Sequence, residues 1–495
     1  MKRNSLFRLL SIIICCSTAL APVWCQQRFS PTLFGLDTAS TGESRYEVLY
    51  RTHEAANAAG AEVDYTGIDT LRLQLPEGWK SIPLGSVTDF KGLVLYVENH
   101  SKHGALFSRS ANTKAIELDK ATIDRGDFST IPELANGQIL LILKDKHPWV
   151  AQRIGYGYSQ YRSDIILIDN GRGLNRPIAP YNTDSTILNA SYCRVQAPVV
   201  VSNLTMHRVD GSTQKTYCVS LHNLDNITLE NIHITTPRSK MIADAAISIG
   251  NCTHVTLRDI TVDGTYSGYG RTRDYGYAFS MNNVWNSTFD HVVADGNWGV
   301  FGTNNLSNTT LTHCDVNRFD IHCYGRDARL VGCILRQKQT QFSSMYGTVE
   351  FDSCLFADCI PVRVRSSYNA YTPFDIVMRH CTFEATLRHH ALVNMMLLDT
   401  NLNRRPELQE KCWPNLTIDD LTVIAPVTVR HLYLYDPTGT RSECRKPVGH
   451  ISTIQADGIR VVRPNGRKAS PMVELTSYPF ATQNELKVDI HYTEQ

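Results

Sequence analysis

The chain has 495 residues, a formal net charge of +1 and 42% hydrophobic residues. This composition is typical of a globular protein rather than a disordered one. The near-neutral balance of charge gives no support for a nucleic-acid or membrane-surface binder, because such proteins usually carry a basic excess. The length fits either roughly two to four average domains or one elongated repeat fold.

The first residues have the pattern of a secretory signal peptide. A basic start precedes the apolar run 9–16, and smaller residues follow up to Cys25. We expect residues 1–25 to be removed, which predicts a secreted, periplasmic or cell-surface protein. No other stretch reaches the roughly 18 uninterrupted apolar residues that span a bilayer, so no transmembrane segment is predicted.

The region after the signal peptide is predicted to be a cap that contains a helix. Residues 46–60 form an amphipathic pattern that ends at Gly60, which is typical of a helix with a glycine cap. Alternating apolar and polar residues over 70–76 and 92–99 predict strands after it. The sequence therefore predicts a β-rich cap over residues 26–150.

A repeated pattern dominates the rest of the chain. Nine segments share mostly apolar second, fourth, seventh and ninth positions, and commonly Asn, Asp or His at the sixth; they begin at Pro198, Asn226, His254, Asn286, Asn308, Asp327, Thr348, Asp375 and Asn415. Two alternating runs that meet at a polar corner are the strand–turn–strand of one solenoid coil. Because one coil cannot bury its own apolar face, coils must stack. We predict an all-β solenoid of about ten coils over residues 151–460 and a closing segment over 461–495.

Two positions of the repeat have structural interpretations. The sixth position predicts a ladder of corner residues made of Asn203, Asn231, Asp259, His291, His313, His380 and Asp420. The seventh position predicts an inward column made of Cys314, Cys333, Cys354 and Cys381. Buried cysteines behave as small hydrophobic residues, so we expect these thiols to be reduced and unreactive. No cysteine and histidine cluster has zinc spacing, and no metal is predicted.

The coils resemble the pectate-lyase-like right-handed parallel β-helix superfamily over about residues 160–460. The resemblance implies a right-handed parallel β-helix and the activity of a polysaccharide lyase or a related glycoside hydrolase. The hydrolase motif is matched only by Asn-Thr-Asp at residues 182–184, and residues 284–292 only echo the lyase motif. The carboxylates expected for Ca²⁺ do not cluster, so Ca²⁺ is left open without a clear ligand set.

A third strand precedes many of these segments, and its alternate residues are predicted to face outward. The predicted outward column consists of Ser220, His222, Ser248, Ser280, Asn282, Phe301, Thr303, His322, Tyr324, Arg363 and Arg365. A plain solvated sheet face would carry scattered Lys, Glu and Thr. His, Tyr and Arg are instead suited to binding and proton transfer.

The densest group of chemical residues surrounds one strand of this column. Asp320, His322 and Tyr324 alternate along it, with Arg318 and Arg326 at its ends. We predict catalytic roles for Arg318, Asp320, His322 and Tyr324. Arginine can hold a uronate carboxylate, His322 or Tyr324 can remove the C5 proton, and the other can protonate the leaving oxygen. The alternative is that His322 and Tyr324 are ordinary exposed strand residues.

A Tyr- and Arg-rich insertion at residues 264–279 is predicted to lie beside this strand. Tyrosine rings stack on sugar faces, and arginine pairs with carboxylates. The predicted substrate-binding residues are Arg271, Arg273, Tyr275, Tyr277, Asn282, Trp298, Asn304, Arg326, Arg363 and Arg365. A surface loop without a ligand is the alternative interpretation of the insertion.

Together these patterns predict an exported enzyme that cleaves an acidic, uronate-containing polysaccharide by β-elimination. One alternative is a glycoside hydrolase on the same groove, with Asp320 and either Asp295 or Asp274 as acid and base. The other is a non-catalytic glycan-binding or adhesion protein. No phosphate-binding loop or dinucleotide fingerprint is present, and no nucleic-acid partner is predicted.

Overall fold

The structure is a computed structural model. It describes residues 28–37, 39–99, 104–144, 163–177, 187–209, 216–235, 245–263, 277–294, 299–336, 340–343, 345–365, 374–388, 390–396, 414–426, 428–436, 453–463, 472–476 and 488–494. The predicted signal peptide lies outside the described residues.

The described elements are a 3-10 helix at Pro31–Phe34 and two α-helices, α1 (Gly42–Ala59) and α2 (Lys120–Arg125), together with the following strands. The strands before residue 195 are β1 (Arg28–Phe29), β2 (Glu62–Val63), β3 (Thr70–Leu75), β4 (Ile82–Pro83), β5 (Val87–Asn99), β6 (Gly104–Ser110), β7 (Lys114–Asp119), β8 (Gln138–Lys144), β9 (Ser163–Asp169), β10 (Arg172–Gly173) and β11 (Ile187–Arg194). The later strands are β12 (Val199–Arg208), β13 (Thr216–His222), β14 (Asp225–Thr235), β15 (Ala245–Asp263), β16 (Tyr277–Asp290), β17 (Val293–Ala294), β18 (Gly299–Thr312), β19 (Asp315–Val316), β20 (Asp320–Val331), β21 (Ile334–Arg336), β22 (Thr340–Phe342), β23 (Met345–Asp352), β24 (Leu355–Ala357), β25 (Val362–Arg365), β26 (Asp375–Glu384), β27 (Ala391–Met396), β28 (Asn415–Ile424), β29 (His431–Asp436), β30 (Ile454–Val462), β31 (Met472–Thr476) and β32 (Val488–Glu494).

The strands from β12 onward wind into coils with three faces. Face A contains β13, the first parts of β15, β16, β18 and β20, and then β22, β25, β27, β29 and β31. Face B follows it in the chain and contains the segments that end at the predicted corners, and face C follows those corners. Each strand pairs in parallel with the strand one coil further on, as Val219 does with Ile247 and Ile247 with Phe279. The predicted all-β fold of parallel strands, as in a β-helix, is confirmed.

The predicted corner residues form the turn between faces B and C. Each has a positive φ between 50° and 59°, for Asn203, Asn231, Asp259, His291, His313, His380 and Asp420. Short polar side chains tolerate this left-handed region best because they can hydrogen-bond locally. The Asn231 amide donates to Asn203 Oδ1 at 2.7 Å, and the Asn203 amide donates to Asp89 Oδ1 at 2.9 Å. The predicted ladder is therefore confirmed.

The predicted cysteine column lies inside the coils. Cys314, Cys333, Cys354 and Cys381 are each at most 2% exposed and pack in the main apolar core. Every cysteine whose side chain is described is free and buried. The predicted inward orientation is confirmed, whereas the lack of reactivity stays a prediction.

The predicted cap helix is present as α1. It begins after Thr41, whose side chain accepts a hydrogen bond from the Ser44 amide, and ends at Gly60 in the left-handed conformation, with φ 64°. This arrangement satisfies backbone groups at both helix ends. The helix packs on β3 and β4, while β3 and β5 pair in parallel with each other and β5 with β12. The parallel stack therefore includes strands from within residues 26–150.

An antiparallel sheet interrupts the parallel stack between β6 and β12. Its described strands follow the order β10-β9-β8-β11-β7 and enclose a second apolar core that contains Leu118, Phe128 and Ile139. Strand β9 contacts β15 and β16. The antiparallel sheet therefore stands beside face A. No helix in the described part of the chain is long and apolar enough to cross a membrane.

Candidate functional site

Two columns of residues in backbone register run along face A. In the first half of the coils, the first column is Ser108, Ser220, Ser248, Ser280 and Gly302, and the second is Ser110, His222, Gly250, Asn282, Asn304 and His322. The backbone register differs from the alternation predicted for Phe301 and Thr303. Their backbones are in register with Phe279 and Met281, whose side chains lie in the core. Counting alternation from the wrong first residue of that strand caused the difference.

His222 and Ser220 form a close polar pair on this face. His222 Nε2 lies 3.0 Å from Ser220 Oγ. The imidazole covers Gly250, where an added Cβ would come within 2.5 Å of His222 Nδ1. Burial lowers the pKa of His222 below its ordinary value. The ring is therefore neutral near pH 7 and has the capacity to accept a proton.

The first column continues as a buried polar ladder on the later coils. Asp320 is in register with Gln341, and Gln341 with Arg363. The Asp320 carboxylate accepts hydrogen bonds from Arg318 and from Gln341 Nε2, the latter at 3.1 Å. Asp320 is 0% exposed, Arg318 2% and Gln341 3%. Because burying a carboxylate is costly unless it is paired, these contacts with Arg318 and Gln341 offset the cost of burying Asp320.

The ladder extends from Arg363 toward the C-terminal coils. Arg363 is in register with Asn394, and Asn394 with Asp436. Arg363 Nε donates to Asn394 Oδ1 at 3.1 Å, and Asn394 Nδ2 donates to Asp436 Oδ2 at 3.3 Å. Arg363 is half-buried, and Asn394 is buried. These contacts fix the guanidinium at the centre of the polar column.

Three members of the ladder were not anticipated from the sequence: Gln341, Asn394 and Asp436. Gln341 lies 21 residues after Asp320, which is one coil length. Strand β22 is only three residues long, so its alternation is too short to recognise. Counting one coil length from Asp320 would have found Gln341.

The predicted alternation of Asp320, His322 and Tyr324 fails at Tyr324. Between Asn304 and Leu306 the pairing with β20 shifts by one residue, so β20 contains a bulge. Tyr324 has φ 109° and is 1% exposed. Its hydroxyl donates to the Ser163 carbonyl and accepts from the Ser163 amide at 2.7 Å. Tyr324 therefore connects β9 to face A and is not an exposed residue of the predicted column.

The remaining described residues of the predicted site occupy the face or its edges. Asn282 is exposed and donates to Ser280 Oγ at 3.2 Å, and Tyr277 begins β16. Arg326 lies on the short arc between faces A and B, in register with Ser307 and Tyr346, rather than on face A.

For Asn304, His322 and Arg365 the structure describes only the position of the backbone. Asn304 is in register with Asn282 and His322, and Arg365 is in register with Met396. Arg271, Arg273, Tyr275 and Trp298 lie outside the described residues. The structure thus brings Arg318, Asp320 and Arg363 into one ladder and places the His322 backbone beside it.

One group among the described residues has the composition of a metal site. Ligand atoms of Asp290, His291 and His313 lie within 4.8 Å of one another. His291 Nδ1 is 2.9 Å from Asp290 Oδ1, and the two imidazole rings lie 5.1 Å apart at 31°. Both histidines belong to the corner ladder between faces B and C, which accounts for their stacking. The group does not border face A.

Comparison with known proteins identifies the fold. The structure is similar to the tailspike protein gp49 from Pseudomonas phage LKA1, with a TM-score of 0.55 at 11% identity, covering 91% of this chain and 82% of that chain. A second similar structure is the gp54 tailspike of Acinetobacter baumannii bacteriophage AP22, solved in complex with A. baumannii capsular saccharide. Its TM-score is 0.43 at 11% identity, and the match covers 88% of this chain and 76% of that chain. The family 28 exopolygalacturonase of Yersinia enterocolitica has a TM-score of 0.36 at 10% identity, and the match covers 94% of this chain and 77% of that chain. No family model matches the sequence, and no curated protein matches it. The likeness to the gp49 tailspike establishes that the chain shares a parallel β-helix fold.

Proposed function

We propose that this protein acts on an acidic polysaccharide bound along face A. The observation that carries the proposal is the ladder of Asp320, Gln341, Arg363, Asn394 and Asp436 on successive coils. Hydrogen bonds join Asp320 to the buried Gln341, and Arg363 to Asn394 and through it to Asp436, and the half-buried Arg363 lies where the two groups meet. Parallel strands repeat about every 4.8 Å, so the ladder extends over several sugar lengths. A polar face of this length suits a polymer better than a small molecule.

The charge of the ladder favours an acidic sugar. Arg363 lies at its centre, and a half-buried guanidinium binds a carboxylate through paired, charge-assisted hydrogen bonds. Arg318 is already paired with Asp320, so its part is to hold that carboxylate in place. We therefore assign uronate recognition to Arg363 and a positioning role to Arg318.

The proposed reaction is β-elimination. His322 takes the C5 proton, the C5–H electron pair forms the C4=C5 double bond, and the C4–O4 bond breaks. The departing oxygen then takes a proton from solvent water, and His322 afterwards releases the C5 proton to solvent. Pairing of the uronate carboxylate with Arg363 acidifies C5 and lowers the barrier to proton removal. Because the Tyr324 hydroxyl bonds to Ser163, we do not assign Tyr324 a proton-transfer step.

The described carboxylates give the hydrolase alternative less support. Asp320 and Asp436 are four strand positions apart, which corresponds to roughly 19 Å at about 4.8 Å per strand. Glycosidase carboxylates are separated by at most about 9.5 Å. Asp274 and Asp295, the partners predicted for Asp320, lie outside the described residues.

A non-catalytic glycan-binding role is supported by the same ladder. It differs from the two enzymatic roles only in that the bound polymer is not cleaved. The experiment is to incubate the purified protein with pectin-like, alginate-like and glycosaminoglycan-like polymers. Unsaturated products that absorb in the ultraviolet would support the lyase. New reducing ends without that absorbance would support the hydrolase, binding without cleavage the adhesion protein, and neither binding nor cleavage would refute the proposal.

The proposal extends to export and to the hand of the coil. We infer that residues 1–25 direct secretion and that the coil is right-handed, as in the superfamily the sequence resembles. Sequencing the N-terminus of the protein recovered from the producing cell would test the first inference. An experimental structure would test the second.

A further inference from the structure

A second polar site lies where face A begins, at the junction of α1, β4 and β6. A cavity of about 490 Å³ opens there, lined by the C-terminal end of α1, by the segment 83–87 and by β6. Its hydrogen-bonding side chains come from Asn57, Glu62, Ser86, Ser108, Arg109, Ser110 and Gln196. Leu84 and Val87 supply an apolar part of the lining.

Arg109 is the charged group best placed for a ligand in this cavity. Its side chain is half-buried, and its described hydrogen bonds run to the Leu84 carbonyl and to Gln196 Oε1, both at 3.4 Å. Both acceptors are neutral, and both bonds are long. Burial lowers the pKa of Arg109 below its ordinary value. A guanidinium in this state gains most from an anion that accepts two parallel hydrogen bonds.

Two residues of the cavity lining, Ser108 and Ser110, belong to the two columns of face A. Ser108 is in register with Ser220, and Ser110 with His222. A chain lying along the face would therefore reach the cavity at its N-terminal end. Glu62 lies on the same lining and can accept hydrogen bonds from hydroxyl groups, which a sugar acid offers and a free sulfate ion does not.

We propose that this cavity is a subsite for a sugar acid, in which Arg109 pairs with the carboxylate while Glu62 and the serine hydroxyls bind the ring hydroxyls. The role as the end of a polymer groove rests on the proposed function, whereas recognition of a sugar carboxylate by Arg109 does not. The site is separate from the ladder around Arg363.

The probe is sodium glucuronate, compared with glucose, which has the same ring but no carboxylate. Titrations followed by calorimetry or ligand-observed NMR should show millimolar binding of glucuronate and much weaker binding of glucose. Arg109→Gln should weaken glucuronate binding roughly 10- to 100-fold, the scale of a charge-assisted hydrogen bond. Arg72→Gln is the matched control, because Arg72 lies over the Tyr96 ring on another face of the stack. It should bind glucuronate like the unmodified protein.

Two further measurements keep the outcome decisive. Arg109→Lys keeps the charge but loses the forked guanidinium, so an intermediate affinity for glucuronate is expected. This variant tests the subsite if Arg109→Gln does not fold. Because Arg363 is itself proposed to bind a uronate, the Arg109 variants are also titrated in the Arg363→Gln background. Glucuronate binding that still depends on Arg109 there, even if polymer cleavage is abolished, separates this inference from the proposed function. Equal binding of glucose and glucuronate, or unchanged glucuronate binding in folded Arg109 variants, would overturn the subsite.

Discussion

The Tyr324 hydroxyl hydrogen-bonds both the carbonyl and the amide of Ser163, residues that are 161 positions apart in the chain. Ser163 begins β9 of the antiparallel sheet, and Tyr324 occupies the bulge in β20 of face A. One side chain thus connects the inserted sheet to the parallel stack, directly beside the backbone of His322. The positive φ of Tyr324 is backbone strain that this contact helps to offset.

Replacing Tyr324 with Phe should loosen this junction. The change removes two hydrogen bonds and leaves the Ser163 carbonyl without its tyrosine donor, so a loss of about 1–3 kcal/mol in the free energy of unfolding is expected. Hydrogen exchange at β9 should accelerate more than exchange at β8. Tyr50→Phe is the control, because the Tyr50 hydroxyl is 3.5 Å from Glu54 on an exposed helix surface. Equal stability of the two variants would contradict the role of Tyr324 as a connection.

The sequence predicted the parts of the fold that depend on local periodicity. The corner residues could be found because a left-handed backbone admits few residue types, and so Asn231 and His313 recur at one position of the repeat. The column of Cys314 and Cys333 could be found because inward residues alternate regularly along each strand. The helix that ends at Gly60 had a local cap signal.

The sequence could not predict features that depend on non-local pairing. The antiparallel sheet consists of strands that pair across long separations, and its apolar runs look the same as those of a parallel stack. The bulge at Tyr324 inverts the alternation after His322, and such a shift is visible only in the register with β18. Asn394 follows Arg363 by 31 residues, whereas Gln341 follows Asp320 by 21. Because the coil lengths differ, counting a fixed number of residues would not have found Asn394.

Acid should destabilise the cap through His53. This histidine is buried, with Nε2 2.6 Å from the Tyr65 hydroxyl, and burial lowers its pKa from 6.5 to about 4. Between these values the unfolded chain binds a proton and the folded chain does not, so stability is lost as the pH falls from about 6.5 toward 4. Above that range His53 is neutral in both states and contributes no pH dependence.

Once the pH is below both pKa values, the loss in the free energy of unfolding that is attributable to His53 is about 3 kcal/mol. Urea unfolding at several pH values should show a shallower decline with acid in His53→Gln than in the unmodified protein. His431→Gln serves as the control, because His431 is exposed. A decline that is identical in all three proteins would rule out His53 as the titrating group.

The buried cysteines should resist modification in the folded state. Burial raises the pKa of the Cys218 and Cys252 thiols to about 12, and hydrogen bonding with Cys333 together with burial raises the pKa of Cys314 and Cys354. A neutral, shielded thiol is a poor nucleophile. Treatment with a thiol reagent followed by peptide mass mapping should leave these four positions unmodified until denaturant is added. Rapid modification of Cys314 or Cys354 without denaturant would contradict the packed interior.

Arg363 should contribute mainly to substrate affinity. Arg363→Gln removes the carboxylate partner while keeping an amide beside Asn394, so KM for a uronate polymer should rise roughly 10- to 100-fold. The difference should shrink at high salt, because ionic strength also screens the charge in the unmodified protein. Arg379→Gln provides the control, since Arg379 pairs with Glu350 on face B. An unchanged KM in Arg363→Gln would separate this residue from uronate recognition.

His322 should determine the chemical step. Its backbone lies in the second column of face A, in register with Asn304, one residue before the bulge. Loss of a general base typically lowers turnover by about two to four orders of magnitude, so His322→Ala should lose kcat to that extent. The sequence predicts that His322 faces outward, and truncating an outward side chain leaves no core cavity, so the melting temperature should change little.

Two comparisons make the result for His322 specific. His380→Ala removes a histidine from the corner ladder between faces B and C and should retain full activity. The pH dependence of kcat in the unmodified protein should show one ionisation, with activity lost as the pH falls and the base becomes protonated, and the residual activity of His322→Ala should lack it. Full activity of folded His322→Ala on the cleaved polymer would exclude His322 as the base. His222 would then be the next residue to test, because its lowered pKa keeps a neutral imidazole on the same face.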